Sequence, residues 1–138
     1  LQTISMPDDR YQRYLRTNDF IREVVFPGSC CPALSAMVEA AHGAGLEMID
    51  LEEMNHHYAQ TLRVWSGAFD AAHDHIVGIG YDEQFIRMWR YYLAYCEAGF
   101  AENHVRSLQL VFARQGMASA VEIPPLPKSH YGSLQCRH

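Results

Sequence analysis

The sequence predicts an α/β fold in which helices cover a small sheet. Short apolar runs typical of strands alternate along the chain with longer segments whose apolar residues recur at helical spacing. The three predicted strands are Leu1–Ser5, Leu46–Leu51 and Val105–Ala113. The last run is apolar on both faces, so we expect it to lie in the middle of the sheet. The helices predicted to cover the sheet are Pro32–Ala44, His56–Ile76 and Asp82–Phe100.

Composition and charge restrict the classes of protein to which the chain can belong. Its 138 residues suffice for one domain with a buried core, and 49% hydrophobic with 20% charged residues is typical of a globular protein. A net charge of -5 argues against nucleic-acid binding, which needs a basic surface. No apolar run reaches the ~18 residues of a membrane-spanning helix, and no signal peptide is visible. The four cysteines follow neither zinc nor disulfide spacing, so we expect reduced thiols in a cytoplasmic protein.

The beginning of the chain contains the first strand and one ambiguous segment. The chain opens at Leu1, inside an apolar run and without a Met, so we expect it to be the C-terminal part of a longer protein. Pro7 ends the strand, and an aspartate directly after it can cap the next helix, Arg10–Arg16. Asp19–Phe26 fits a helix or a strand, and the Pro-Gly pair that follows predicts a turn.

The later segments are a long helix and a proline-containing end. The predicted helix His56–Ile76 has one apolar stripe, formed by Tyr58, Leu62, Trp65, Phe69, Ala72 and Ile76. From Gln115 onward the apolar periodicity stops, and the prolines at 124, 125 and 127 indicate a flexible extended tail over residues 115–138.

The stretch Tyr81–Phe100 gives the strongest helical signal and the least usual stripe. Asp82 can accept hydrogen bonds from the first-turn N–H groups, and Gly99 weakens the helix near its end. The predicted inner face consists of Phe85, Met88, Trp89, Tyr92, Cys96 and Phe100. This face, with its aromatic rings and a thiol, fits either a core helix or the wall of an apolar ligand channel. The spacing leaves both interpretations open.

Several groups of residues resemble parts of known active sites but lack features that those sites require. Glu52, Glu53 and the adjacent histidines 56 and 57 lack metal-ligand spacing, and Gly78-Ile79-Gly80 lacks the third glycine of a dinucleotide-binding turn. No Ser or Cys lies in a nucleophile motif. The residue patterns alone therefore predict neither a metal site nor a cofactor site.

Three runs nevertheless resemble one family. The runs FPGSCCPALSAMVEAAHGAGLEMIDLEEMNHHYAQTLRVW, FIRMWRYYLAYCEAGF and LQLVFAR look like the C-terminal half of cyclopropane-fatty-acyl-phospholipid synthases, which are S-adenosylmethionine-dependent methyltransferases related to the mycolic acid cyclopropane synthases. The resemblance covers residues 1–114. It implies the C-terminal part of a doubly wound, Rossmann-like class I methyltransferase sheet, whose last strand is antiparallel and lies between the two strands before it. In the family, the glycine-rich turn that binds the cofactor lies upstream of the residues present here.

The resemblance also implies a chemistry. Family members transfer the methyl group of S-adenosylmethionine to a cis double bond in an unsaturated phospholipid acyl chain at a membrane surface. The carbocation then loses a proton to a bound bicarbonate, and a cyclopropane ring closes. This implies a cytoplasmic enzyme that contacts the membrane peripherally. Because the strand Leu1–Ser5 would form an exposed apolar edge, a homodimer is also expected.

Specific site residues follow from the same resemblance. Tyr58 matches the tyrosine that hydrogen-bonds the bicarbonate, and Gln2 stands where the best-studied members have a histidine. Ala33 stands where the family usually has a helix-capping Ser. The residues that match the acyl channel are Phe26, Cys31, Leu62, Tyr92, Cys96 and Phe100.

Because a glutamine does not titrate, its presence at position 2 fits either ring closure or methylation without ring closure. Two alternatives to the enzyme remain. One is an acyl-lipid-binding module without the cofactor half, and the other is a helical interaction domain without a ligand.

Overall fold

The last strand of the chain lies in the middle of a three-stranded sheet in the computed structural model, which describes residues 1–117. This strand, β3 (Arg106–Arg114), pairs antiparallel with β1 (Gln2–Ser5) on one side and with β2 (Leu46–Glu53) on the other. β1 and β2 are therefore parallel to each other. The predicted central position of Val105–Ala113 is confirmed. The predicted flexible tail lies outside the described residues from residue 118 onward.

Five α-helices and one π-helical turn complete the described part of the chain. They are α1 (Asp8–Tyr14), the π-helical turn (Ile21–Val25), α2 (Leu34–Gly43), α3 (Asn55–Ala71), α4 (His73–Gly78) and α5 (Glu83–Ala101). Within residues 1–117, no helix combines the length and the apolar character needed to cross a lipid bilayer.

The centre of β3 is covered on both faces. Ser107 is fully buried, and Leu108 and Leu110 are each 1% exposed, although neighbouring side chains of a strand point to opposite faces. β1 pairs with β3 through Thr3 opposite Leu108 and Gln2 opposite Gln109. A strand with both faces buried needs two paired neighbours for its backbone, which is the arrangement found.

The predicted helix His56–Ile76 is interrupted. α3 ends at Ala71, and Ala72 has a ψ of 8°, which departs from the helical value and allows α4 to begin in a new direction. The His73 ring lies 3.1 Å from a carboxylate oxygen of Glu83, so α4 is tied to the first turn of α5. The single long helix was therefore a wrong prediction, because the chain must reverse before α5.

The buried face of α3 also differs from the predicted stripe. Trp65 is 58% exposed, whereas Ala59 and Leu62 are each 6% exposed. Compared with the predicted stripe, the side of α3 that faces the core is the side that carries the smaller side chains. Periodicity placed Trp65 at the centre of the stripe, but close packing against α5 favours the side of α3 that carries Ala59.

α5 begins as predicted but buries different residues. The Asp82 carboxylate accepts a hydrogen bond of 2.8 Å from the Phe85 N–H, so the predicted cap is present. Ile86 and Leu93 are the most deeply buried side chains in the first four turns, at 0% and 3% exposure. Apart from the buried Phe100, the predicted aromatic stripe is half-buried, and the rings of Phe85 and Trp89 stack at 5.7 Å within it.

α3 and α5 pack antiparallel. The Arg63 guanidinium lies 2.8 Å from the Glu97 carboxylate, and the Arg90 guanidinium lies 2.6 Å from the Asp70 carboxylate. The earlier residue of α3 pairs with the later residue of α5 and the later residue of α3 with the earlier one, so the two helices run in opposite directions. Each pair has at least one largely exposed partner, so the pairs align the helices more than they stabilise them.

The start of α2 is stabilised by a residue from α1. Ala33 occupies the cap position and supplies no side-chain acceptor. Instead, the Asp8 carboxylate accepts a hydrogen bond of 3.2 Å from the Ser35 N–H. The predicted aspartate cap of the first helix was wrong, because α1 begins after Pro7 without a side-chain cap. Asp8 compensates for the missing capping serine and joins α1 to α2.

A buried amide joins the first turn of α3 to β3. The Asn55 Nδ2 donates hydrogen bonds to the Asn103 side-chain oxygen at 2.8 Å and to the Val105 carbonyl at 3.2 Å. Its Oδ1 accepts a hydrogen bond of 2.7 Å from the Ser107 N–H. Asn103 itself adopts a left-handed φ of 53°, which asparagine tolerates better than most residues. Asn55 thus fixes where α3 begins.

Replacement of this amide should destabilise the fold. Asn55→Ala removes three hydrogen bonds and leaves the buried Ser107 N–H without an acceptor, so we expect the free energy of unfolding to fall by about 2–4 kcal/mol. Urea unfolding followed by circular dichroism measures the change. His56→Ala, at the exposed neighbouring position, is the matched control and should change it by less than about 0.5 kcal/mol. Equal losses in the two variants would contradict the role given to Asn55.

Candidate functional site

Two residues that are 56 positions apart in the sequence meet through a direct hydrogen bond. The Gln2 Nε2 donates to the Tyr58 hydroxyl oxygen at 2.8 Å. Gln2 is placed by its pairing opposite Gln109 on β3, and Tyr58 lies one helical turn after Asn55 on α3. Since the Tyr58 oxygen accepts this bond, its own O–H proton is available to donate to another group.

The Tyr58 ring is held by the packing between α3 and α5. Its centroid lies 5.0 Å from that of Phe100, with a tilt of 47° between the planes. Phe100 is only 4% exposed and belongs to a buried cluster with Ala59, Leu62 and Leu93. The hydroxyl of Tyr58 is therefore attached to a rigid part of the core.

A groove of about 640 Å³ begins next to this cluster, between α5 and the segment that runs from β1 to residue 31. Phe100 lines the groove while packing on Tyr58, and Ile4, which shares a face of β1 with Gln2, also lines it. The groove and the Gln2–Tyr58 pair are thus adjacent. Tyr58 and Gln2 themselves are not among the groove-lining residues.

Most residues that the sequence assigned to an acyl channel lie in this groove. Its lining includes Phe26, Cys31, Tyr92, Cys96 and Phe100. Leu62 is not among them, because it is buried in the cluster between α3 and α5. The structure therefore brings five of these six residues together around one space.

Arg22 and Tyr14 shape the wall opposite α5, and the sequence interpretation overlooked both. The Arg22 guanidinium donates to the carbonyls of Tyr14, Thr17 and Ser29 at 2.9, 2.6 and 3.2 Å. It also lies 4.8 Å from the centre of the Tyr14 ring. The Tyr14 hydroxyl accepts a hydrogen bond of 2.9 Å from the Cys31 N–H. Nothing in the spacing of these residues indicated that they would converge.

The thiols and phenols of the groove wall are held in their neutral forms. Burial raises the pKa of the Cys96 thiol to about 11 and that of the Tyr14 phenol to about 12. Burial likewise raises the pKa of Cys31 and of Tyr92. Loss of solvation disfavours each charged form, so at neutral pH this wall contains neither a thiolate nor a phenolate.

The residue group that imitated a metal site does not converge. Within residues 1–117, no three His, Cys, Asp or Glu side chains lie close enough together to bind a metal ion. The rings of His56 and His57 are 6.3 Å apart at the exposed start of α3.

A comparison with known protein families decides the family. Residues 1–110 match the family model described as mycolic acid cyclopropane synthetase. The chain belongs to this family. The match covers β1 to the middle of β3, so it includes the groove and both partners of the Gln2–Tyr58 hydrogen bond.

Curated relatives agree with this assignment. The chain is 36% identical over 117 residues to the tuberculostearic acid methyltransferase UfaA1 of Mycobacterium tuberculosis, and the alignment covers 84% of this chain and 27% of that protein. It is 30% identical over 100 residues to the cyclopropane-fatty-acyl-phospholipid synthase of Escherichia coli, covering 72% of this chain and 26% of that protein. The chain therefore spans about a quarter of the length of these relatives.

Solved structures share the fold. The cyclopropane synthase MmaA2 of Mycobacterium tuberculosis matches with a TM-score of 0.71 at 21% identity, covering 83% of this chain and 43% of that one. The mycolic acid cyclopropane synthase CmaA1 complexed with SAH and CTAB matches with a TM-score of 0.69 at 24% identity, covering 81% and 42%. The predicted fold class, a Rossmann-like methyltransferase sheet with an antiparallel last strand, is confirmed.

The raised pKa of Cys96 gives a direct test of how well the groove excludes water. We expect alkylation of Cys96 by iodoacetamide to become about tenfold faster with each pH unit from pH 7 to pH 10, because only the thiolate reacts. Folding favours the protonated thiol, so the associated stability is present below about pH 9 and is lost as the pH rises towards 11. Peptide mapping by mass spectrometry separates Cys96 from the other thiols.

The unfolded chain in concentrated urea is the control, in which the rate should reach its plateau near the ordinary thiol pKa of ~8.5. A plateau at this pH in the folded chain would show that water reaches the Cys96 side of the groove freely.

Proposed function

We propose that these residues form the acyl-chain-binding part, and one side of the catalytic site, of an S-adenosylmethionine-dependent methyltransferase. Its proposed substrate is the double bond of an unsaturated phospholipid acyl chain. The observation that supports this most strongly is the apolar groove beside the Gln2–Tyr58 pair. Relatives named as a tuberculostearic acid methyltransferase and as a cyclopropane-fatty-acyl-phospholipid synthase support the same substrate class.

The groove has the size and character that an alkyl chain needs. Its volume of about 640 Å³ lies within the ~300–1,000 Å³ of typical ligand pockets. Phe26, Tyr92 and Phe100 provide aromatic walls, and CmaA1, which shares the fold, is described in complex with the alkyl detergent CTAB. Burial of each methylene group in such a site contributes about 0.8 kcal/mol.

A neutral wall also suits a carbocation. Methyl addition to a double bond leaves a positive carbon, which water or a thiolate would trap. Burial in the groove wall keeps Cys31 and Cys96 as thiols. The face of the Tyr92 ring offers the negative part of its quadrupole to a nearby cation.

Tyr58 and Gln2 are proposed to bind the group that accepts the proton. With its oxygen accepting from Gln2, Tyr58 can direct its own O–H toward a bicarbonate ion. The second N–H of the Gln2 amide provides another donor. Since an amide does not titrate in this range, residue 2 cannot take up the proton itself. We therefore propose that the anion accepts it, and that Gln2 fits methylation without ring closure as well as cyclopropane formation.

We assign no S-adenosylmethionine-binding residue within the described part of the chain. β1 is joined to α1 by Met6-Pro7, and β2 is joined to α3 by Met54 alone. Neither connection offers the glycine-rich turn at a helix start that cradles such a cofactor. S-adenosylmethionine supplies the methyl group in the proposed reaction, and the residues described here bind and orient the acceptor chain.

Contact with a membrane surface and with another strand is also proposed. Val24 and Phe26 are 50% and 53% exposed beside the groove, where apolar side chains can enter a lipid surface.

Within residues 1–117, β1 pairs only with β3 and exposes Leu1 and Ile4. A strand from elsewhere in the protein, or from a second copy in a homodimer, would cover this edge.

Tyr58→Phe tests the catalytic proposal. The substitution keeps the ring on Phe100 and removes only the hydroxyl, so the loss of one preorganised donor should slow methyl transfer about 10²-fold in the full-length protein. The rate is measured as modified acyl chain formed per unit time, with gas chromatography of the methyl esters separating cyclopropane from methyl-branched products. The melting temperature should hardly change, because the bond to Gln2 is exposed. A variant with unchanged turnover would exclude Tyr58 from the site.

Chain binding can be tested separately with oleyl alcohol and the 138-residue chain. Cys96→Phe places a ring in the groove and displaces about two methylene groups, so the dissociation constant should rise about tenfold. Cys30→Phe is the matched control, because Cys30 is exposed and outside the lining, and its dissociation constant should stay unchanged. Binding without methyl transfer by the full-length protein would favour the lipid-binding module over the enzyme.

A further inference from the structure

The groove carries a set of basic side chains that the proposed alkyl site does not use. Arg10, Arg13, Arg22 and His104 all line it, and we call this set the basic rim. Asp19 is the one carboxylate among the lining residues of the described chain. The chain as a whole has a net charge of -5, so the basic rim opposes the overall charge of the protein.

The guanidinium groups of the basic rim are not equally available. Arg22 is occupied by three carbonyl groups of the segment that it holds together. Arg10 is 44% exposed, and its contact with Asp9 is long, at 3.9 Å, to a carboxylate that is itself 77% exposed. Arg13 is exposed and forms no ion pair within residues 1–117. Arg13 is therefore free to bind a ligand, and Arg10 keeps guanidinium N–H donors beyond those that contact Asp9 and His104.

Arg10 and His104 form a further donor pair. The Arg10 guanidinium is hydrogen-bonded to the Nδ1 of His104. Because an arginine can only donate, Nδ1 must be the acceptor, and the ring proton of His104 then lies on Nε2. His104 therefore offers one N–H donor beside the groove.

Arg10 and Arg13 lie three residues apart on α1 and so project from the same face, with Cβ atoms about 5–6 Å apart. Two guanidinium forks at this spacing suit an anion with several oxygens. Arginine binds phosphate through paired, charge-assisted hydrogen bonds. One ligand that fills the apolar groove and reaches the basic rim must have an alkyl chain and an anionic head.

We propose that Arg10 and Arg13, with His104, bind the phosphate of the lipid whose acyl chain lies in the groove. This proposal rests on the proposed function, because it assigns the headgroup of the same substrate. The basic rim then fixes the depth to which the chain enters, and with it the carbon that lies next to Tyr58. Selection of the double-bond position thus depends on α1 as well as on the groove walls.

The test compares oleyl phosphate with oleyl alcohol, which have the same chain and differ in the head. Isothermal titration of the 138-residue chain, below the aggregation concentration of both ligands, should give about 10–100-fold tighter binding of oleyl phosphate. Arg10→Gln and Arg13→Gln should each weaken oleyl phosphate binding about tenfold and leave oleyl alcohol binding unchanged.

Arg16→Gln is the matched control, because it removes the same charge from a neighbouring exposed residue outside the groove lining. It should leave the affinity for both ligands unchanged, and an equal loss in this variant would reduce the effect to general electrostatics and overturn the proposal. Equal affinity of the original chain for the two ligands would also overturn it, while leaving the proposed function intact. Failure of both ligands to bind would instead refute the proposed function.

Inorganic phosphate distinguishes a lipid headgroup from a free anion. Without an alkyl chain to anchor it, inorganic phosphate should compete with oleyl phosphate at least about 100-fold less well than unlabelled oleyl phosphate does. Competition of similar strength would identify a free-phosphate site and contradict the assignment to a lipid.

Discussion

The double antiparallel pairing of β3 is the constraint on which the rest of the structure depends. Gln2 is set opposite Gln109. The start of α3 is set by the Met54 N–H, which donates to the Ser107 carbonyl, and by the Asn55 Oδ1, which accepts from the Ser107 N–H. Gln2 and the helix that carries Tyr58 are thus positioned by Gln109 and Ser107, which lie only two residues apart on β3. A slip of one residue in this register would turn Gln2 to the opposite face and separate the pair.

Loss of solvation determines the chemistry of the groove wall. The thiols of Cys31 and Cys96 and the phenols of Tyr14 and Tyr92 line an apolar space that disfavours their charged forms. The exposed guanidinium groups of Arg10 and Arg13 on α1 line the same groove. One surface is therefore divided into a neutral part suited to a hydrocarbon chain and a charged part suited to a headgroup. The division arises from burial, because both parts include polar residue types.

In the proposed site, the glutamine at position 2 orients the tyrosine but cannot take part in proton transfer. The Gln2 amide reaches Tyr58 at 2.8 Å, so the tyrosine is oriented without a titratable partner. In the proposed site, proton removal then depends on a bound anion. The family to which the chain belongs includes relatives named as a methyltransferase and as a cyclopropane synthase, which differ in product. The fate of the carbocation is the step at which such products diverge.

Local sequence signals were sufficient for the three strands, for their order in the sheet and for the start of α5. Apolar runs identified all three strands, the two apolar faces of β3 placed it in the centre, and Asp82 marked the start of α5. The family, and five of the residues around the groove, followed from the runs of sequence that they occupy. These features depend on neighbouring residues or on motifs, so a single chain contains them.

Only the tertiary structure decided which faces are buried and which distant groups meet. Trp65 fits the apolar period of its helix and yet is exposed, whereas Leu93 lies outside the predicted stripe and is buried. Asp8 caps a helix 27 residues away, and Arg22, in a segment that periodicity left undecided, donates to carbonyls on both sides of that segment. Periodicity defines a stripe on one helix, but the neighbouring helix selects the part of it that packs closely. Contacts between distant residues arise only when the sheet brings their backbones together, which no local pattern records.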